Sequence, residues 1–260
     1  MVVHNERNLH VSGSRNEGLK VAHGEYIGFS DHDDYRDLRM YELLYEKAKS
    51  ENAEIVVSDV RVIHEDRREE ICRFNDPSRP GLVNSVLLPM EAAINKNQLS
   101  KAVWHSIYSR AFLTENGLVF EDRRTFFEED TLFNLKAVLL ARSIAHVEEV
   151  LYVWDKRSDS LSNEWATMIP QKQIKSFSLM ADLLKDSDDF EQYKDSLWTL
   201  VSNEVNRYYP MYMRLEDNDR ASFHDLLNKM DFPLFGRYNL KLVSKKRLKL
   251  FFFVLKAKYT

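Results

Sequence analysis

Between Gly24 and Val62 the spacing of the apolar residues changes twice. Gly24–Ser30 (GEYIGFS) alternates apolar and polar positions around Tyr26 and Phe29, which reads as a strand running into an acidic loop. Leu38–Ser50 then sets Met40, Leu43, Leu44 and Lys47 at helical spacing, and Ala53–Val62 (AEIVVSDVRV) returns to a β-branched strand. Strand, helix and strand in that order are the mark of a parallel sheet, so the chain is expected to be α/β.

The same reading extends along the chain. Val103–Tyr108 reads as a short strand, Arg110–Asn116 as a helical turn stopped by Gly117, and Ser143–Trp154 as a further strand. Glu128–Ala141 reads as an amphipathic helix with Leu132, Leu135 and Leu139 turned inward. Phe74–Pro89, with Pro77, Pro80, Gly81 and Pro89, reads as a loop. After Pro170, apolar stripes at Ile174, Phe177, Ala181 and Leu184, then at Phe190, Tyr193, Leu197, Leu200 and Tyr208, predict helices, and the stripes read as core. The expected architecture is a mixed, mostly parallel sheet flanked by helices over residues 1–162, followed by a helical region over residues 163–260.

Composition narrows the function classes. The 260 residues include one cysteine, Cys72, which rules out an internal disulfide or a zinc site built on several thiolates and fits a reducing compartment. The formal charge of −4 argues against a general nucleic-acid binder. It conceals an asymmetry: the stretch from Phe235 to Thr260 holds eight basic residues and no acidic one, so residues 1–234 stand at −4 − 8 = −12. The polar start has no apolar stretch of signal-peptide kind, and the longest apolar run, Leu250–Leu255, falls far short of the roughly 20 residues of a spanning helix. These features predict a cytoplasmic protein.

The tail over residues 239–258 (NLKLVSKKRLKLFFFVLKAK) interleaves cations with leucine and phenylalanine. Two readings fit it: a cationic amphipathic helix lying on the anionic inner face of the plasma membrane as a peripheral protein, or a terminal helix docked on its own domain.

Two acidic clusters bear on chemistry. Asp31-His32-Asp33-Asp34 follows the first expected strand, and strand alternation would put Asp31 and Asp33 on one side with His32 opposite. Two such carboxylates make a hard-oxygen site suited to Mg2+ or Mn2+; the bland alternative is a solvated turn. Glu128-Glu129-Asp130 opens the expected helix, where acidic residues complement the helix dipole. One of them facing a cleft would instead be placed to act as a general base.

In order and interval these pieces resemble the family 2 glycosyltransferases of the GT-A fold. Residues 13–18 (GSRNEG) are similar to that family's A-R-N-x-G, residues 22–27 (AHGEYI) to A-x-G-E-Y-I, and residues 29–34 (FSDHDD) to F-L-D-x-D-D. Residues 104–113 (WHSIYSRAFL) resemble W-x-K-x-Y-x-R-x-F-L, residues 129–133 (EDTLF) resemble E-D-x-x-F, and Leu151-Tyr152 through Arg157 to Ser162 resembles L-Y-x-Y-R-x-R-x-x-S-I-S.

The resemblance implies a metal-dependent, inverting transfer from a nucleotide-sugar, a UDP-sugar being expected, to a glycan or lipid-linked acceptor in bacterial surface polysaccharide synthesis. By position, it implies that Asp31 and Asp33 hold Mn2+ or Mg2+ under the donor diphosphate and that Asp130 is the catalytic base. Arg15 and Arg157 match positions that contact the donor, with surface ion pairs as the alternative. Trp104 and Glu129 fall on the acceptor side, and Trp104 and Trp154 suit either sugar stacking or core packing.

Two departures alter the charge expected on the acceptor side: this chain runs His105-Ser106 where the family has a lysine after the tryptophan, and it has Asp155 at the first arginine of the last motif. Twelve residues precede Gly13, fewer than the ~30 of a βαβ unit, so the family's opening strands, which grip the nucleoside, are expected to be lacking. An open apolar sheet edge and self-association would follow. A second reading is therefore a catalytically silent relative that binds a membrane or a partner.

Overall fold

A computed structural model describes residues 1–73, 102–126 and 129–157, together with positions 172, 175, 176, 179 and 183. The chain divides into two compact units, Met1–Glu164 and Trp165–Thr260. The expected loop at 74–89, the helical stripes after Pro170 and the basic tail at 239–258 lie outside the described residues, as does Glu128. Among the described residues no helix is long and apolar enough to cross a membrane.

The first unit is a six-stranded mixed sheet with helices. In chain order it runs α1 (His10–Val21), β1 (Tyr26–Gly28), β2 (Tyr35–Arg36), α2 (Met40–Glu51), β3 (Ile55–Ile63), β4 (Glu69–Cys72), β5 (Ser106–Ser109), α3 (Arg110–Glu115), α4 (Glu129–Leu140) and β6 (Ile144–Asp155). The sheet order is β1-β5-β3-β6-β2, with β4 also paired to β3. Strands β3 and β6 pair in parallel from Ile55↔Ile144 to Ile63↔Asp155. The other ladders, β1 with β5, β5 with β3, β3 with β4 and β6 with β2, are antiparallel.

The α/β class is as expected, but the described ladders are not mostly parallel. Strand β5 inserts between β1 and β3, so the two strands of the strand-helix-strand unit share a direction without touching. Strand β1 ends the path, with β5 as its one partner among the described strands.

Helix α2 presents Met40, Leu44 and Ala48 to the sheet, one residue every four, where they meet Val56, Val60, Val62, Ala145 and Leu151. Asn52 closes the helix in the left-handed region (φ 50°), its backbone N–H donating to the carbonyl of Ala48. On the opposite face an aromatic cluster holds the helices down. Phe29 meets Phe120 edge-on at 5.1 Å between centroids, and Phe120 stacks on Phe133 of α4 at 4.2 Å. Leu132 and Leu135 are buried as expected, Leu139 only partly, while Thr131, Phe133 and Asn134 are buried too. The first two turns of α4 are thus enclosed on more than one side. Asn134 is satisfied there, accepting from the Tyr108 hydroxyl at 2.6 Å and donating to the Ala102 carbonyl at 3.0 Å.

Helix α1 has no apolar stripe and includes Gly13 and Gly18, so propensity and period both argue against it. Tertiary contacts fix it instead. The Asn16 side chain accepts from the Phe120 backbone N–H and donates to the Phe120 carbonyl, both at 2.9 Å, like one more rung of a sheet. Asn16→Ala would leave both Phe120 groups unmatched, an expected loss of about 2 kcal/mol. Urea unfolding followed by tryptophan fluorescence measures it.

His105 is buried, its Nδ1 2.7 Å from the carbonyl of Ser58, and since a carbonyl only accepts, Nδ1 carries the proton. Burial holds the imidazole down to about 4, so it is neutral at pH 7 and does not supply the positive charge of the lysine in the family pattern. The folded protein thus binds this proton less tightly than the unfolded chain, and stability is lost as pH falls from about 6.5 towards 4, by about 3 kcal/mol from this one group. His105→Gln is expected to flatten the fall in chemical stability between pH 7 and 4.5 relative to the natural chain.

Candidate active site

Three of the expected residues converge although they lie far apart in the chain. Arg15 comes from the middle of α1, Asp31 from the segment after β1, and Asp130 from the first turn of α4. Arg15 Nη2 donates to Asp31 Oδ1 at 2.9 Å, and Arg15 Nη1 donates to Asp130 Oδ1. The guanidinium lies by two aromatic rings, its central carbon 5.2 Å from the centroid of Phe120 and 5.9 Å from that of Phe29. Phe29 directly follows β1 and Phe120 is held by Asn16, so the rings beside Arg15 belong to the core itself.

Burial is uneven across the three. The side chains of Arg15 and Asp130 are 13% and 18% exposed, whereas Asp31 is 36% exposed. Asp130 is therefore an interior carboxylate facing one cation, and Asp31 reaches solvent. Burial pushes the Asp130 carboxyl up to about 7; the Arg15 guanidinium draws it down, and Glu129 and Asp31 add to the rise. A carboxyl group titrating near neutrality can accept a proton at physiological pH and still release it.

The acidic segment is a turn, not a strand end. The chain leaves β1 at Gly28, and His32 and Asp33 form the turn before β2, so alternation does not place Asp31 and Asp33 on one side. Each is engaged by a different arginine. Arg157 Nη2 donates to the Asp33 carbonyl at 2.6 Å and stands 3.6 Å from Asp33 Oδ2, while Asp31 faces Arg15. Both carboxylates are about a third exposed, and their oxygens are the hard donors that Mg2+ or Mn2+ prefers. Among the described residues no group of three or more His, Cys, Asp or Glu side chains is arranged around a common point. In this structure the two carboxylates are thus separate oxygen donors, each beside its own arginine.

Asp34 ties the turn to the sheet. It accepts from the Tyr152 hydroxyl at 2.8 Å and from the Asp155 backbone N–H at 3.3 Å, and burial pushes its carboxyl up to about 6 against both bonds. The Tyr152 ring stacks on Trp104 at 4.2 Å. Asp34, Asn16 and the rings of Phe29 and Phe120 position the site without belonging to the set expected from sequence; Asn16 and Asp34 are nonetheless polar members of the motif segments that hold Arg15 and Asp31.

Two expected acceptor-side residues are placed elsewhere. Trp104 is 9% exposed and packed between Tyr152 and Trp154, so its indole is core and is not offered to a sugar. Glu129 is buried, with Oε1 accepting from Arg123 Nη1 at 3.1 Å. The first turn of α4 meets the core, which turns Glu129 inward and gives it a structural ion pair. Trp154 is half-buried against the sheet core, with Lys156 Nζ 4.4 Å from its ring centroid.

The sequence pattern of glycosyl transferase family 2 matches residues 1–84. The uncharacterized glycosyltransferase EpsJ of Bacillus subtilis is 32% identical over 172 residues, 66% of this chain and 47% of that protein. The cholesterol galactosyltransferase of Borreliella burgdorferi is 26% identical over 196 residues, 73% of this chain and 53% of that protein. The chain thus spans about half the length of these curated relatives. The crystal structure of S. aureus TarS residues 1–349 in complex with UDP-GlcNAc superposes with a TM-score of 0.69 at 18% identity, covering 94% of this chain and 67% of that one. At that identity the likeness is one of fold. The family pattern over residues 1–84, the relatives and the shared mixed sheet together support a glycosyltransferase of family 2 with a GT-A-type fold.

Proposed function

We propose that this protein transfers a sugar, with inversion, from a UDP-sugar to a glycan or lipid-linked acceptor in the building of a bacterial surface polysaccharide, at the cytoplasmic face of the membrane. The observation that supports it most is the convergence of Asp31, Arg15 and Asp130, one partly open carboxylate and one buried carboxylate joined by a single guanidinium. TarS, a structural neighbour, is known in complex with UDP-GlcNAc and with UDP, which favours a uridine diphosphate donor here.

In this reading Asp31 and Asp33 would hold Mn2+ or Mg2+, which when bound neutralises the diphosphate charge that develops on the leaving group. Arg157, bonded to the Asp33 carbonyl and 46% exposed, would face a donor phosphate held at Asp33. Arg15, enclosed by the two carboxylates and the aromatic rings, stays with the protein. Asp130 takes the proton from the acceptor hydroxyl as its oxygen bonds to the anomeric carbon. The bond from that carbon to the diphosphate oxygen breaks on the far side, the electron pair leaves with UDP, and configuration inverts.

Asp31→Ala is expected to abolish the part of UDP binding that depends on Mn2+, read by calorimetry with and without the metal. Absence of such binding in the natural chain would favour the silent-relative reading instead. Asp130→Asn is expected to lower sugar transfer by roughly 10^2- to 10^4-fold with UDP affinity retained, measured by UDP release and by direct binding. Since the ionised carboxylate is the active form and its carboxyl titrates at about 7, transfer by the natural chain should rise between pH 6 and pH 8 and then level off.

A further inference from the structure

We propose that Arg15 is a positioning residue for the proposed base: its guanidinium, resting against the rings of Phe29 and Phe120, aims and neutralises the Asp130 carboxylate instead of serving the donor phosphates. The inference rests on the reading of Asp130 as the base.

Three features of the geometry lead to it. First, both terminal nitrogens of the guanidinium are engaged, Nη1 with Asp130 and Nη2 with Asp31 at 2.9 Å. A side chain only 13% exposed and packed against two core rings has little room to swing out to a ligand. Second, among the described residues Arg15 is the cation that touches Asp130; the nearby Arg123 is paired to Glu129. A buried carboxylate with no counterion is driven to its neutral form, and a neutral carboxyl cannot accept the acceptor's proton. Third, the wall is built by the same helix as the cation. Asn16, next to Arg15 on α1, grips both backbone groups of Phe120, so α1 sets the ring and the guanidinium together.

Arg15 also spans the two halves of the proposed reaction. One nitrogen holds the residue proposed as base and the other holds Asp31 on the donor side, so a single planar group fixes the line between them. A lysine would supply charge to one carboxylate at a time.

The test uses the full chain and compares the natural protein with Arg15→Ala, Arg15→Lys, Asp130→Asn and the double variant Arg15→Ala/Asp130→Asn. Two quantities are measured: UDP release at saturating UDP-GlcNAc or UDP-galactose with Mn2+, and calorimetric binding of UDP with Mn2+. Arg15→Ala is expected to slow release about 100-fold while the UDP Kd changes by less than about threefold, and added millimolar guanidinium should restore a substantial part of the rate. Arg15→Lys, which keeps charge and bulk if alanine prevents folding, should fall about 10-fold with UDP binding intact. The double variant should be no slower than Asp130→Asn alone, because Arg15 acts through Asp130.

A loss in UDP affinity that accounts for the whole defect would make Arg15 a donor ligand and overturn the proposal. Losses that add in the double variant, or an Arg15→Ala as fast as the natural chain while Asp130→Asn is inactive, would overturn it as well. If Asp130→Asn releases UDP at the natural rate, or the natural chain releases none, the base reading itself fails and this proposal falls with it.

Discussion

Strand β3 bears most of the architecture. Over nine residues, Ile55–Ile63, it pairs on one edge with β6 along its whole length and on the other first with β5 and then with β4. Its side chains enter two separate cores, Ile55 and Val57 beneath the aromatic cluster and Val56, Val60 and Val62 beneath α2. A strand covered on both faces needs a nearly continuous apolar run, which IVVSDVRVI supplies apart from Ser58 and Asp59 at its centre and Arg61 beyond it. There the register with β6 shifts around Asp59, and Asp59 Oδ1 meets His146 Nε2 at 2.8 Å. Elements that hold site residues are attached to this strand through one neighbour: β1 and its acidic turn through β5, and Tyr152 through β6.

That attachment explains how charge is tolerated inside the unit. A buried ion is acceptable only where partners replace the water it has lost. Arg15 is divided between two carboxylates, Glu129 is matched by Arg123, and Asp34 has a hydroxyl and a backbone N–H. Asp130 shares its only touching cation, among the described residues, with Asp31, and its carboxyl is raised to about 7 as a result of its burial. Along the same segments Asn16 and Asp34 bond to backbone groups, while Arg15, Asp31 and Asp33 carry the charge.

Much of the fold was legible in the sequence because its longer elements have a clear period. Helix α2, strand β3, helix α3, helix α4 and strand β6 fall within about two residues of the expected bounds, the usual blur of element ends. Helix α1 was not legible, since glycines, serines and Asn16 dominate it and its stability comes from Phe120 and the acidic residues. Strands β2 and β4 are short and mostly exposed, so they show no alternation. The side chains of Trp104 and Glu129 were open to two readings by residue type, and packing against Tyr152 and pairing with Arg123 decided between them.

The sequence alone determined residue types and local periods: an α/β first unit, an acidic pair after the first strand, and an acidic start to a buried helix. Those properties arise from neighbours along the chain, so a short window contains them. Only the tertiary structure decided that β5 lies between β1 and β3, that Asp31 and Asp33 turn to different arginines, and that Arg15 meets an aspartate 115 positions away. Such meetings depend on which strand edges pair and which side chains fill the space between helix and sheet, and these are contacts between segments that no local pattern encodes.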